Sequence, residues 1–157
     1  MWKRGSRHDE PLFLVEDYEI GTLVTSLKNF DCLHVTQVPY GQISFEGEEI
    51  YRGPRVNAFG REWELLVGTV DNEIYKIALF RSGADSNEVR LDVMAVFGAC
   101  KSLYGDPDED DGAVAVWDAA DGNVLLQTNA VNPRQPQEEC YVHVFLTSSK
   151  VGSFRVR

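Results

Sequence analysis

The most regular pattern of apolar and polar positions lies in the middle of the chain. Trp63, Leu65 and Val67 share one face of an extended segment, with Glu62, Glu64 and Leu66 on the other. Asp71-Asn72 is a turn signal, because both residues tolerate left-handed backbone. Tyr75, Ile77 and Leu79 then form a second alternating face, with Lys76 opposite. A connection this short predicts an antiparallel hairpin.

The period then changes. Asp85-Ser86-Asn87-Glu88 has the form of a capping box, in which Asp85 accepts from the first-turn N–H groups and Glu88 reaches back to the cap. Val89, Val93, Val96, Phe97, Cys100, Leu103 and Tyr104 follow at spacings of three and four and make one apolar stripe. Gly105 suits a left-handed helix end and Pro107 forbids continuation. The spacing predicts a helix over residues 86–104. Beyond it Val114 and Val116 alternate with Ala115 and Trp117, Asp121-Gly122 marks a hairpin turn, and residues 124–126 return. Residues 61–126 thus read as strand, strand, helix, strand, strand. Residues 141–146, rich in β-branched and aromatic side chains, add a strand. Phe154 and Val156 suit a terminal edge strand.

The first third of the chain is less regular. Residues 1–11 read as a flexible lead-in, followed by one domain over 12–157. Residues 12–15 fit a short edge strand. Ile20, Leu23, Val24, Leu27 and Phe30 recur at helical spacing and predict a short first helix, with a strand as the alternative. Leu33 and Val35, and then Ile43 and Phe45, suit strands separated by Pro39 and Tyr40-Gly41. Residues 50–60, punctuated by Gly53-Pro54 and Gly60, read as a loop or broken strand. The whole predicts an α+β fold: a mainly antiparallel sheet of about six to eight strands with two helices on one face.

Composition narrows the functional classes. The 157-residue chain carries a formal net charge of −10, which disfavours unspecific contact with nucleic acid or anionic lipid. Its small basic clusters, Lys3, Arg4 and Arg7 and then Lys150, Arg155 and Arg157, lie near the two ends. No apolar run approaches the ~20 residues that span a bilayer. The basic start is not followed by the apolar stretch of a signal peptide. Three cysteines, an odd number widely spaced, suit reduced thiols. A cytoplasmic location is the expectation.

Candidate chemistry is sparse. There is no phosphate-binding glycine loop, no G-x-S-x-G elbow and no H-E-x-x-H, and no cofactor is expected. The acidic run at 106–111 invites calcium, yet the EF-hand register fails: Asp111 stands where Gly is needed and Trp117 where the bidentate Glu belongs. Cys32, His34, Cys140 and His143 offer zinc or thiol–imidazole chemistry. Cys140 and His143, three apart on a strand, however, face opposite sides. Glu62 and Glu64 are accounted for as the wet face of a half-buried strand.

The segment that stands out in an acidic protein is Tyr51-Arg52-Gly53-Pro54-Arg55, followed by Phe59 and Arg61. Arginine and aromatic side chains are enriched at interface hot spots. The leading expectation is a non-catalytic module that binds another protein through Tyr51, Arg52, Arg55, Phe59 and Arg61. A rival is an enzyme or small-molecule binder with a pocket between helix and sheet, drawing on His34, His143, Cys140, Tyr75 and Arg81. A third is an acidic mimic using residues 106–111. Edge strands at 12–15 or 154–156 would let two copies form a homodimer.

Overall fold

A computed structural model describes residues 9–33, 47–83, 86–130 and 139–149. The expected strands around residues 35 and 45, the terminal strand at 154–156, the Asp85 cap and His34 lie outside the described residues.

Among the described residues nine strands form one antiparallel sheet: β1 (Asp31–Cys32), β2 (Glu49–Arg52), β3 (Val56–Ala58), β4 (Arg61–Val70), β5 (Glu73–Gly83), β6 (Glu109–Asp110), β7 (Val114–Ala119), β8 (Gly122–Thr128) and β9 (Cys140–Ser148). Their order is β1-β2-β4-β5-β9-β8-β7-β6, with β3 paired to the outer end of β4. The one α-helix among the described residues, α1 (Ser86–Tyr104), packs on one face. None of the described helices is long and apolar enough to cross a membrane.

The hairpins follow from their turns. Asp71 and Asn72 both have positive φ, 53° and 69°, and Val70 pairs with Glu73, which is the two-residue geometry that matches strand twist. The β7–β8 turn differs by one residue from the Asp-Gly expectation. Ala119 pairs with Gly122, so Ala120-Asp121 make the loop and Gly122 begins β8. Its glycine answers to packing instead: a Cβ there would run into the carbonyl oxygen of Thr147 on the neighbouring strand β9.

The helix buries Val89, Asp92, Val96, Cys100 and Tyr104 against the sheet. All but Asp92 join Trp63, Leu65, Val67, Ile77, Leu79, Trp117, Val142 and Val144 in the main core. The opposite sheet face carries a smaller cluster of Ile50, Leu66, Ala78, Phe80 and Phe145. Strands buried on both faces explain why β5 and β9 read as nearly continuous apolar runs.

Three expectations are corrected. The first helix is absent: residues 17–30 hold only a 3-10 turn, Val24–Ser26. The reason is competition for backbone hydrogen bonds. Gly21 N donates to Ile74 O (2.8 Å), Ile74 N to Thr22 O (2.9 Å) and Val24 N to Asn72 O (2.8 Å), so the segment is strapped to the β4–β5 hairpin tip. Positive φ at Glu16, Gly21 and Asn29 breaks any helical path. The strand count also exceeds six to eight, because residues 50–60 supply β2 and β3 and the acidic run supplies β6. Residues 12–15 form no strand, and Val15 makes one isolated bridge, to Tyr18. The strap is anchored elsewhere: Ala120 N donates to Glu10 O (2.8 Å), and the Tyr104 hydroxyl donates to Pro11 O (2.8 Å).

Candidate functional site

The Arg–aromatic segment is folded by close approaches rather than left as a loop. Where the chain leaves β2, Gly53 N donates to Leu65 O (3.1 Å), and a Cβ on Gly53 would strike the ring of Phe30. After Pro54 and Arg55 the chain enters β3. Phe59-Gly60, with φ of 54° and 75°, turns it into β4 through another two-residue hairpin. Phe59 is held in this left-handed conformation by edge-on contacts with Phe13 (5.4 Å) and Trp63 (6.0 Å). The Trp63 indole donates to Ala58 O (2.8 Å), tying the turn to β4.

The five candidate residues divide by direction. Tyr51 and Phe59 are half-buried and pack on the main core. Burial, then the Cys32 thiol and the Glu49 carboxylate, raises the Tyr51 phenol above its ordinary pKa. Arg61 donates from Nε to Asp92 Oδ1 (2.6 Å) on α1, while Arg81 Nε donates to Asp92 Oδ2 (2.8 Å). The Arg81 guanidinium lies 5.8 Å from the Trp63 ring centroid and also donates to Glu62 O. One buried carboxylate thus holds two arginines and binds helix to sheet. Arg52 and Arg55 are exposed. Arg52 sits opposite Asp31 across β1–β2, and Arg55 Nη1 is 3.5 Å from Glu62 Oε1.

Arg55, Glu62, Glu64, Phe80, Arg81 and Ser82 line a cleft of about 140 Å³. Its apolar side continues across the sheet face away from the helix. Phe80 meets His143 edge-on (4.7 Å), and His143 stacks on Tyr141 (4.3 Å, 22°). Burial lowers the His143 pKa to about 4, so the imidazole is neutral near pH 7.

The other groups that carry chemistry are spread out. Cys140 belongs to the helix-side core and His143 to the far face, as the three-residue spacing requires. Cys32 is exposed on the edge strand β1, beside Glu49 (3.8 Å). Cys100 is buried in the core, and desolvation raises its pKa to about 12, which keeps it a thiol. Tyr75 donates to Glu48 Oε2 (2.6 Å), which Lys76 Nζ also meets (2.9 Å). This buried cluster sits over Gly68, where a Cβ would overlap the Glu48 carboxylate, at a bulge that re-aims β5.

Three clefts among the described residues bear on the rival reading, of whose residues His34 lies outside those described. A cleft of about 180 Å³ between α1 and the β7–β8 strands is lined by Val93, Phe97, Ala115 and Leu126 among others. Another, about 280 Å³, lies under the N-terminal strap. In neither, nor in the cleft at Arg55, do two of His143, Cys140, Tyr75 and Arg81 meet.

In the acidic run, Glu109 and Asp110 form β6, and neighbouring carboxylates accept backbone N–H groups. Asp111 Oδ1 takes Ala113 N (3.0 Å) and Val114 N (2.8 Å), and these bonds lower its pKa. Among the described residues no three His, Cys, Asp or Glu side chains gather as a metal site requires.

Two features escape the sequence reading. Asp92 lies in phase with Val89 and Val96, so a charge on the apolar stripe is the signal that a buried partner awaits it. Glu48 follows a glycine and carries no such signal. No family model, curated protein or solved structure matches this chain.

Proposed function

We propose that this protein is a small cytoplasmic interaction module without catalytic activity, which meets another protein through Arg52 and Arg55 on the sheet rim. The observation that carries the reading is the division within residues 51–61. Tyr51, Phe59 and Arg61 are engaged by the fold and fix the segment, while Arg52 and Arg55 stay exposed. Guanidinium forks on a rigid support lose little freedom when they meet a partner's carboxylates. The cleft at Arg55 adds hydrogen-bonding groups and the edge of Phe80 beside them. Cys32, Cys100 and Cys140 are not joined by disulfides, which suits a cytoplasmic protein.

The test compares proteins retained by the tagged chain with those retained by the double variant Arg52→Glu, Arg55→Glu. A partner held by the wild type and lost with the variant is the expected result. Identical sets, or no retained protein, would remove this reading. Both side chains are exposed, so the variant is expected to melt within about 0.5 kcal/mol of the wild type.

A further inference from the structure

The outer face of α1 has a composition that the fold of the described residues does not account for. Its exposed residues include Glu88, Leu91, Met94, Gly98 and Lys101. Leu91 is 54% exposed and Met94 68%, the two most exposed large apolar side chains of the helix. Between Asp92, which is buried, and Lys101 the helix carries no charge. A surface helix ordinarily turns charged residues outward. Single exposed apolar residues are common, but this stripe combines them with a mid-helix glycine, the poorest helix former after proline. Gly98 is not required by its own chain, since a Cβ added there meets nothing within 4 Å.

We propose that this face pairs with the same face of a second copy, the two helices lying antiparallel about a two-fold axis. The order along the stripe argues for a copy rather than a foreign helix. It runs acidic, bulky, bulky, small, basic: Glu88, Leu91, Met94, Gly98, Lys101. An antiparallel pair lays the bulky half of each helix over the glycine half of the other. It also brings Glu88 of each towards Lys101 of the other. A two-fold contact uses every such match twice. Parallel pairing sets Glu88 on Glu88, Lys101 on Lys101, and leaves the glycine gap empty.

Charge supports the same arrangement. Two chains of net charge −10 repel, and an uncharged stripe closed at each end by opposite charges is a surface on which they can meet. Lys101 is free to turn outward, because its contact with Asp106 is 3.6 Å long and well exposed on both sides. Arg52 lies on the sheet face away from the helix, so the pairing leaves the rim open.

Sedimentation velocity on the full chain, over a dilution series up to about 200 μM, tests the pairing. The wild type is expected to form a dimer at the upper end. Met94→Glu is expected to weaken association at least about tenfold, with unchanged circular dichroism and melting. Glu88→Lys and Lys101→Glu are each expected to weaken it, and the double exchange to restore it. A wild type monomeric throughout, or a dimer indifferent to Met94→Glu, overturns the pairing. Single exchanges that leave association unchanged, or a double exchange that fails to restore it, overturn the antiparallel arrangement. The Arg52 and Arg55 reading has its own variant and stands or falls separately.

Discussion

Replacing Asp92 with alanine is expected to destabilise the fold by about 3 kcal/mol, read as a lower denaturant midpoint at constant slope. Its side chain is 4% exposed, and each carboxylate oxygen accepts from a different arginine, Arg61 at 2.6 Å and Arg81 at 2.8 Å. Removing one partner of a buried ion pair leaves the others desolvated without compensation. Arg61 and Arg81 are 37% and 31% exposed, so water recovers part of the loss, which places the effect at the lower end of the usual range. The contrast is the Arg55–Glu62 pair, 64% and 59% exposed, whose loss is expected to cost less than about 0.5 kcal/mol. Changing Arg61 and Arg81 singly and together with Asp92 should give strongly non-additive losses, because both depend on one carboxylate. A midpoint within error of wild type would show that Asp92 does not join helix to sheet.

The same residue explains what was legible beforehand and what was not. The helix at Ser86–Tyr104 is visible because its stripe, its glycine stop and its following proline agree locally. The β4–β5 hairpin is visible because Asp71-Asn72 suits the left-handed turn that it forms. The supposed first helix misleads because Ile20, Leu23, Val24 and Leu27 also serve as anchors of a strap. Three hydrogen bonds to or from the hairpin tip replace the helical ones. Those bonds join residues some fifty apart, and periodicity in a short window does not register them. The candidate site has the same limit. Arginine and aromatic residues at 51–61 are conspicuous in an acidic chain, but their directions are set from afar. Asp92 claims Arg61, and Phe13 with Trp63 claims Phe59. Only the structure separates the residues that fix the segment from the two that face outward.

The second large effect is expected from His143 as pH falls. The ring is 4% exposed, stacked on Tyr141 and met edge-on by Phe80 and Phe145. Burial lowers its pKa from 6.5 to about 4. In the unfolded chain the imidazole binds its proton below about pH 6.5, whereas in the fold it resists until about pH 4. The unfolded state therefore gains protons first, and the stability contributed by the neutral ring, fully present above pH 6.5, declines as pH falls towards 4. Between pH 7.5 and pH 5 this amounts to about 2 kcal/mol. His143→Phe keeps an aromatic ring in the stack and has no proton to bind. Its denaturant midpoint is expected to stay nearly level over that interval while the wild type's falls. Carboxylates that titrate at the lower end act on both proteins alike, so the difference between the two curves isolates the imidazole. Parallel curves would mean that His143 is not held neutral by the aromatic face, and that water reaches its ring in the folded protein.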